Sequence, residues 1–214
     1  MVGTKGRDKL RFKVSVLWVL YWGKSIDLQG KCRYNGIDIC PSKETMEPMR
    51  LYELNYGTYN DICPDPNVKV KKVSLFSPFI KGEKKTAKTL LTRWMFYLNS
   101  KGDFRIYYVT AQEGGRPIHT SYVMGAGSKF PFMNKGDIHI GPCYTAPDHR
   151  GQGIYRRVLK TIHAENHSQC TRAYMIVAES NLPSIKGIEA AGLTYIGRVE
   201  RQGIRKIYRR VSHV

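Results

Sequence analysis

The chain has 214 residues, 42% of them hydrophobic and 24% charged, with a formal net charge of +18. That length and balance read as an ordinary globular protein of one large domain, or one domain with an added segment, able to bury a sizeable core. The charge favours anionic partners such as nucleotides, nucleic acid or an anionic membrane face, and does not choose among them. Its basic residues are spread over positions 5–13, 81–88, 150–160 and 198–210 without one long run, which is also how a solvated face reads.

In chain order, the apolar run 14–22 (VSVLWVLYW) follows Lys5, Arg7, Lys9, Arg11 and Lys13. It is too short to span a bilayer and lacks a small-residue cleavage site, so it reads as a buried element, with membrane-surface contact as the alternative. Asn35-Gly36 marks a turn. Residues 43–54 offer a loose helical face in Met46, Met49, Leu51 and Leu54, although Pro48 interrupts it. Pro64 and Pro66 then separate an N-terminal segment, residues 1–65, from residues 66–214, where the signals become regular. That first segment is expected to pack on the core, to cover a binding site there or to mediate assembly.

Residues 69–76 read as a short strand. Residues 86–99 read as a helix, with Leu90, Leu91, Trp94, Met95 and Leu98 at spacings of three and four and Gly102 placed to stop it. Strands follow at 104–111, 117–124 and 137–145. A helix over 151–166 buries Ile154, Val158, Leu159 and Ile162, and the apolar run 173–178 suits a central strand. A second helix covers 181–191 and ends at Gly192, and a hairpin joins 193–197 to 204–211 across Gln202-Gly203. The five cysteines, at 32, 40, 63, 143 and 170, form no Cys-x-x-Cys pair. Neither a zinc site nor a disulfide framework is therefore expected, and a reducing cytoplasm fits. Cys143 reads as a small buried hydrophobe rather than a nucleophile.

The segment 137–159, DIHIGPCYTAPDHRGQGIYRRVL, carries the strongest chemistry. A strand leads through a basic glycine-rich turn, Arg150-Gly151-Gln152-Gly153, into a helix. Backbone N–H groups then gather at the positive end of the helix dipole, where a phosphate or pyrophosphate is held.

With MIVAESNLPSIKGIEAAGL about 30 residues further on, this turn resembles two ordered motifs of the GNAT superfamily of acetyl-CoA-dependent N-acetyltransferases. The resemblance covers roughly residues 70–211 and implies an α/β (α+β) fold with a mixed, largely antiparallel sheet flanked by helices. It implies acetyl-CoA as cosubstrate and no metal. The backbone of Cys143, Tyr144 and Thr145 is expected along the pantetheine arm. Arg150, Gly151, Gln152, Gly153, Ile154 and Tyr155 are expected at the pyrophosphate. Asn181 is expected to touch the cofactor arm, or to cap the helix that follows it. IGPCYTAPDHRGQGIY and SNLPSIKGIEAAGL are more narrowly similar to members from surface-polysaccharide synthesis, which implies a nucleotide-linked amino sugar as acceptor. Two positions depart from the family pattern. Tyr155 stands where the loop expects Gly or Ala, and Ile188 replaces a Tyr that protonates the departing thiolate in many members. Tyr144 and Tyr155 are the nearest substitutes in sequence.

Attack by an amine needs a base within hydrogen-bond reach. Asp137 and His139 lie two apart on a strand and so share a face, and Asp137 stands thirteen residues before Arg150, as a base carboxylate does in some members. His119, on the preceding strand, is the third candidate; His149 and His163 read as loop and helix-surface residues. The expected partner is a small-molecule amine, with nucleic acid not expected and a homo-oligomer left open. Two alternatives stand beside this: another amine acceptor (aminoglycoside, polyamine, peptide or protein), and a basic nucleic-acid- or membrane-binding module without catalysis.

Overall fold

The computed structural model describes the backbone of residues 32–34 and 37–39, and residues 48–211 except 61–62, 113–114, 128–129 and 203–206. The run 14–22 and the Asn35-Gly36 turn lie outside the described residues. The chain divides into two compact units, Met1–Thr45 and Met46–Val214. In the first, strands β1 (Cys32–Tyr34) and β2 (Ile37–Ile39) pair antiparallel, with Tyr34 opposite Ile37.

The second unit holds β3 (Met49–Asn55), β4 (Lys69–Lys72), helix α1 (Ala87–Asn99), β5 (Phe104–Thr110), β6 (Pro117–Gly125) and β7 (Ile138–Thr145). Helix α2 (Ile154–Asn166), β8 (Arg172–Ala178), helix α3 (Leu182–Glu189), β9 (Thr194–Gln202) and β10 (Ile207–Arg210) complete it. Among the described residues the strands form one eight-stranded sheet in the order β10-β9-β3-β8-β7-β6-β5-β4. Its pairs are antiparallel except β7 with β8. The expected mixed, largely antiparallel sheet with flanking helices is the observed one.

Two early expectations change. Residues 49–55 are strand, not helix: Leu51 and Tyr52 are buried against opposite faces, so the run is apolar on both sides, which a one-sided helical spacing imitates. Pro48 stands just before the strand, where a missing N–H costs nothing. The strand also lies inside the sheet, between β8 and β9, so the sheet's own unit starts at Met46 rather than after residue 65.

Three apolar clusters hold the sheet. Helices α2 and α3 cover one face, where Val158, Leu159 and Ile162 meet Tyr52, Val123, Ile138 and Ile140. Full burial of each such aliphatic side chain stabilises by roughly 1.5–3 kcal/mol. On the other face α1 lies over β5 and β6 through Phe96 and Tyr97. There too a turn around Phe130 and Met133 covers Leu51, Tyr174 and Val199. Thr86 caps α1 by accepting from the N–H of Thr89 at 3.1 Å. The helix stops where Gly102 (φ +88°) donates its N–H to Tyr97 O.

Candidate active site

The site begins with a fork. β7 and β8 pair only at Ile138 with Ala173 and His139 with Tyr174, and then separate. At the same level the β6–β7 register shifts, Ile140 facing Val123 but Cys143 facing Ser121. Gly141 and Pro142 therefore oppose a single β6 residue as a bulge, which bends the strand and moves its later side chains to the other parity. The Gly-Pro dipeptide inside an otherwise regular strand is the sequence signal for this, and the reading of 137–145 as one plain strand passed over it.

Beyond the bulge β7 is bonded on one edge. Ala146 donates its N–H to Ile118 O at 2.8 Å. By alternation Tyr144 also turns its backbone toward β6, while Cys143 and Thr145 point theirs into the fork. Of the three residues expected along a pantetheine arm, Cys143 and Thr145 thus offer the open edge. Tyr144 does not; it presents instead a side chain that is 56% exposed.

A 3-10 turn at Pro147–His149 leads from the end of the strand to the glycine turn. Arg150 Nε donates to Thr145 O at 3.1 Å and fixes the turn to the strand end. Gly151 and Gly153 have φ of +75° and +70°, and a Cβ on either would meet nothing within 4 Å. Gly153 precedes α2 without a side-chain cap, so the first amides of the helix face an open cradle. Gln152 is turned back onto Asp148 O at 3.3 Å. An uncapped helix start above two glycines, joined to a free strand edge, suits a ligand with an anionic end and an amide-bearing arm.

Asn181 heads α3, accepting from the N–H of Ser184 at 3.3 Å, which is the capping role; its amide nitrogen points elsewhere. The tyrosine that departs from the loop pattern, Tyr155, turns inward. A Cβ on Gly187 of α3 would stand 2.6 Å from its ring, so the absence of a side chain at 187 makes room for it. Its ring centre lies 5.9 Å from that of His119. Burial holds its hydroxyl well above the ordinary phenol range, and Cys143 is its polar neighbour. Ile188 is core, packed with α2.

The three proposed bases do not form one group. His119 pairs with Thr145 at the far end of β7, on the α2 side, whereas His139 pairs with Met124. His119 is 1% exposed. Its Nδ1 lies 2.7 Å from Thr145 Oγ1 and its Nε2 lies 2.8 Å from Ser121 Oγ. Burial pulls its pKa down to about 4, so it is neutral and fully engaged. Ser121 and Thr145 were not singled out in sequence as its partners. Their spacing becomes informative only once antiparallel pairing sets 119 opposite 145 and 121 opposite 143. Asp137 sits at the start of β7, its carboxylate accepting the N–H of Asn134 at 2.7 Å, and closes the preceding turn. It lines a pocket of about 970 Å³, bordered by Lys72, Lys101, Arg105 and Lys135, at the end of β7 away from the glycine turn. His139 is the one that stands at the fork, on the face away from α2, its ring stacked on Phe130 at 4.1 Å.

Burial pushes the Cys143 thiol up to about 11, which disfavours the thiolate that a nucleophile would need. His163, expected on a helix surface, is fully buried, 3.1 Å from the Tyr56 hydroxyl and held down to about 3 by burial. The helical spacing that counted Ile162 as core places its neighbour at the flank of the same buried stripe. Among the described residues no cluster of His, Cys, Asp and Glu could hold a metal ion, and no helix is long and apolar enough to cross a membrane.

A family model described as Acetyltransferase (GNAT) family matches residues 74–192, more than half of the chain, and the chain belongs to that family. No curated protein matches it in sequence. Among solved structures it is similar to a tandem GNAT protein from the clavulanic acid biosynthesis pathway, at 14% identity and TM-score 0.50, over 72% of this chain and 52% of that one. A GNAT acetyltransferase from Colwellia psychrerythraea is 17% identical, with TM-score 0.46, over 70% and 53% of the two chains. A glucosamine-6-phosphate N-acetyltransferase from Arabidopsis thaliana is 18% identical, with TM-score 0.36, over 56% and 88%. The chain thus spans about half the length of the first two. At these identities the likeness concerns the fold.

Proposed function

We propose that this chain transfers an acetyl group from acetyl-CoA to a primary amine by direct attack. One observation carries the reading: the edge of β7 at Cys143 and Thr145, unpaired by β8, is tied through Arg150 to the glycine turn at the uncapped start of α2. The amides of residues 151–155 suit the pyrophosphate, and the β7 edge suits the amide-bearing arm as an added strand.

Bound acetyl-CoA supplies a thioester carbonyl and a thiol leaving group. The amine nitrogen forms a bond to that carbonyl carbon while the carbon–sulfur bond breaks. A backbone N–H at Cys143 or Thr145 donates to the carbonyl oxygen. His139, at the point where the strands part and on the face opposite α2, takes the proton that the amine loses. Phe130 covers the imidazole and keeps it from bulk water. His119 acts through Thr145 as a positioning residue: it holds the side chain of the residue whose backbone faces the fork. The departing thiolate takes up a proton from water or from Tyr155.

The acceptor we favour is a nucleotide-linked amino sugar. The narrower motif resemblance supports it, and a net charge of +18 suits a diphosphate substrate. The test has two stages. Acetyl-CoA at a hundred times its Kd should raise unfolding stability by about 2.7 kcal/mol, read as a rise in Tm. Thiol release is then followed against amino-sugar nucleotides, free amino-sugar phosphates, polyamines and aminoglycosides. Absence of any Tm shift at millimolar acetyl-CoA removes the enzyme reading. A shift with turnover only on polyamines or aminoglycosides removes the acceptor and leaves the chemistry.

A further inference from the structure

The segment between β4 and α1 presents apolar side chains to solvent on a backbone that is firmly held. Phe76 is 99% exposed, and Leu75 beside it is also exposed. Such a side chain on a loose loop would carry little meaning, but this loop is tied at many points. Lys71 Nζ donates to Ser77 Oγ at 2.8 Å and to Phe79 O at 2.5 Å. The Ser77 N–H donates to Ser74 Oγ at 3.0 Å. Trp94 Nε1 donates to Leu75 O at 3.0 Å. The fully buried Arg93 reaches Pro78 O at 2.6 Å and forks onto both oxygens of Glu83, which also accepts the N–H of Ile80. The chain keeps Phe76 in water with its backbone fastened.

Helix α1 continues the surface. Leu91, Trp94 and Leu98 lie three and seven positions apart, hence on one side of the helix, and the bond from Trp94 sets Leu75 against that side. Leu91 is 47% and Leu98 67% exposed. The opposite side of α1 is the one spent on the sheet, through Phe96 and Tyr97. Cations flank the patch along the chain: Lys81, Lys84 and Lys85 are exposed on the turn leading into α1, and the exposed Lys101 follows its end. From residue 73 to residue 100 the only acidic residue is Glu83, which Arg93 already neutralises. β4 is the edge strand of the sheet on this side, three strands from β7 and its fork.

We infer that this surface docks the protein on an anionic lipid bilayer, with Phe76, Leu75, Leu91 and Leu98 entering the interface and the lysines meeting the headgroups. Exposed apolar side chains flanked along the chain by charges of one sign match an interface that is apolar within and anionic at its rim. A second copy of this chain is disfavoured, because pairing the patch with itself would bring the two lysine collars together. A nucleic acid would engage the lysines and leave four apolar side chains without a role. The inference is independent of the acceptor and of the acetyl-transfer reading.

The test is co-sedimentation of the full chain with vesicles of phosphatidylcholine alone or with about 30% phosphatidylserine, at about 0.1 M and about 0.5 M salt. Binding is expected only with the anionic lipid and should weaken at the higher salt. F76S should lower the partition about fivefold, and K84E/K85E more than tenfold. Phe76 contacts solvent, so F76S keeps the fold, which an unchanged thermal melt verifies. In an F76W variant, brominated lipid should quench fluorescence beyond the wild-type level. Absence of vesicle binding, or binding that F76S and K84E/K85E leave intact, overturns the proposal. So does tight RNA or DNA binding that K84E/K85E abolishes and F76S does not, which would make the surface a nucleic-acid site.

Discussion

The two halves of β7 show how one strand serves two purposes. Its first half, at Ile138 to Ile140, is bonded on both edges and buried on both faces. Its second half, after the bulge at Gly141-Pro142, keeps β6 and loses β8. Apart from His139, the candidate base at the fork, the first half is core. The second turns the backbone of Cys143 and Thr145 to the side that β8 no longer pairs, where Arg150 already meets the Thr145 carbonyl. Rigidity upstream makes the opening downstream a fixed feature rather than a frayed end, because the strand cannot slide without unpacking Ile138 and Ile140.

Substitutions can set the two halves against each other. The largest effect is expected at their junction: H139Q should lower kcat/KM about a hundredfold while acetyl-CoA affinity stays within about twofold, since the base works on the amine and not on the carrier. Unchanged kcat across the pH range would return His139 to the core. Acid should act on the buried histidines next. His119 at about 4 and His163 at about 3 both titrate below the ordinary 6.5, so the unfolded chain binds protons that the folded chain refuses. Stability is therefore complete above about pH 6.5 and falls as pH drops toward 4, by up to roughly 3 kcal/mol per histidine. Urea melts of the wild type and of H119Q at several pH values measure the slope, which H119Q should flatten.

On the open side, G153V should weaken acetyl-CoA binding by about ten- to a hundredfold in calorimetry. A β-branched residue resists the left-handed backbone there and its side chain stands over the helix amides. G187A should cost about 1–3 kcal/mol of stability, because its methyl would meet the Tyr155 ring at 2.6 Å, and Y155L beside it should recover much of the loss. The smallest effect belongs to the cap of α3: N181A should cost about 1 kcal/mol. If acetyl-CoA affinity falls as well, Asn181 also touches the cofactor arm.

Much of this architecture was legible beforehand. The helices at 87–99 and 154–166 and the strands from 104 onward announce themselves by periodicity, since each has one face for the core and one for water. The glycine turn was legible for a different reason: its chemistry is local, and two positive-φ residues before a helix suffice to specify it. The first strand of the sheet was misread because burial on both faces erases the period that distinguishes a strand from a helix. The candidate bases Asp137 and His139 were grouped because strand alternation gives the face of a residue but not its neighbours. A bulge of one residue then set His139 and the pair Cys143–Thr145 on opposite faces.

The inward turn of Tyr155 belongs to the same class of fact. Its residue type breaks a pattern that can be read in sequence, but the compensating absence is at Gly187, more than 30 residues away on another helix. Local composition, hydrophobic period and turn chemistry were enough to place the helices, the strands from residue 104 onward and the glycine turn before α2. The fork, the neutral burial of His119, the isolation of Asp137 in a different cavity and the exposure of Phe76 on a fastened loop were decided by tertiary structure alone. Each depends on which strand edge is left unpaired or which side chain another element covers, and those are relations between distant residues that no local pattern encodes.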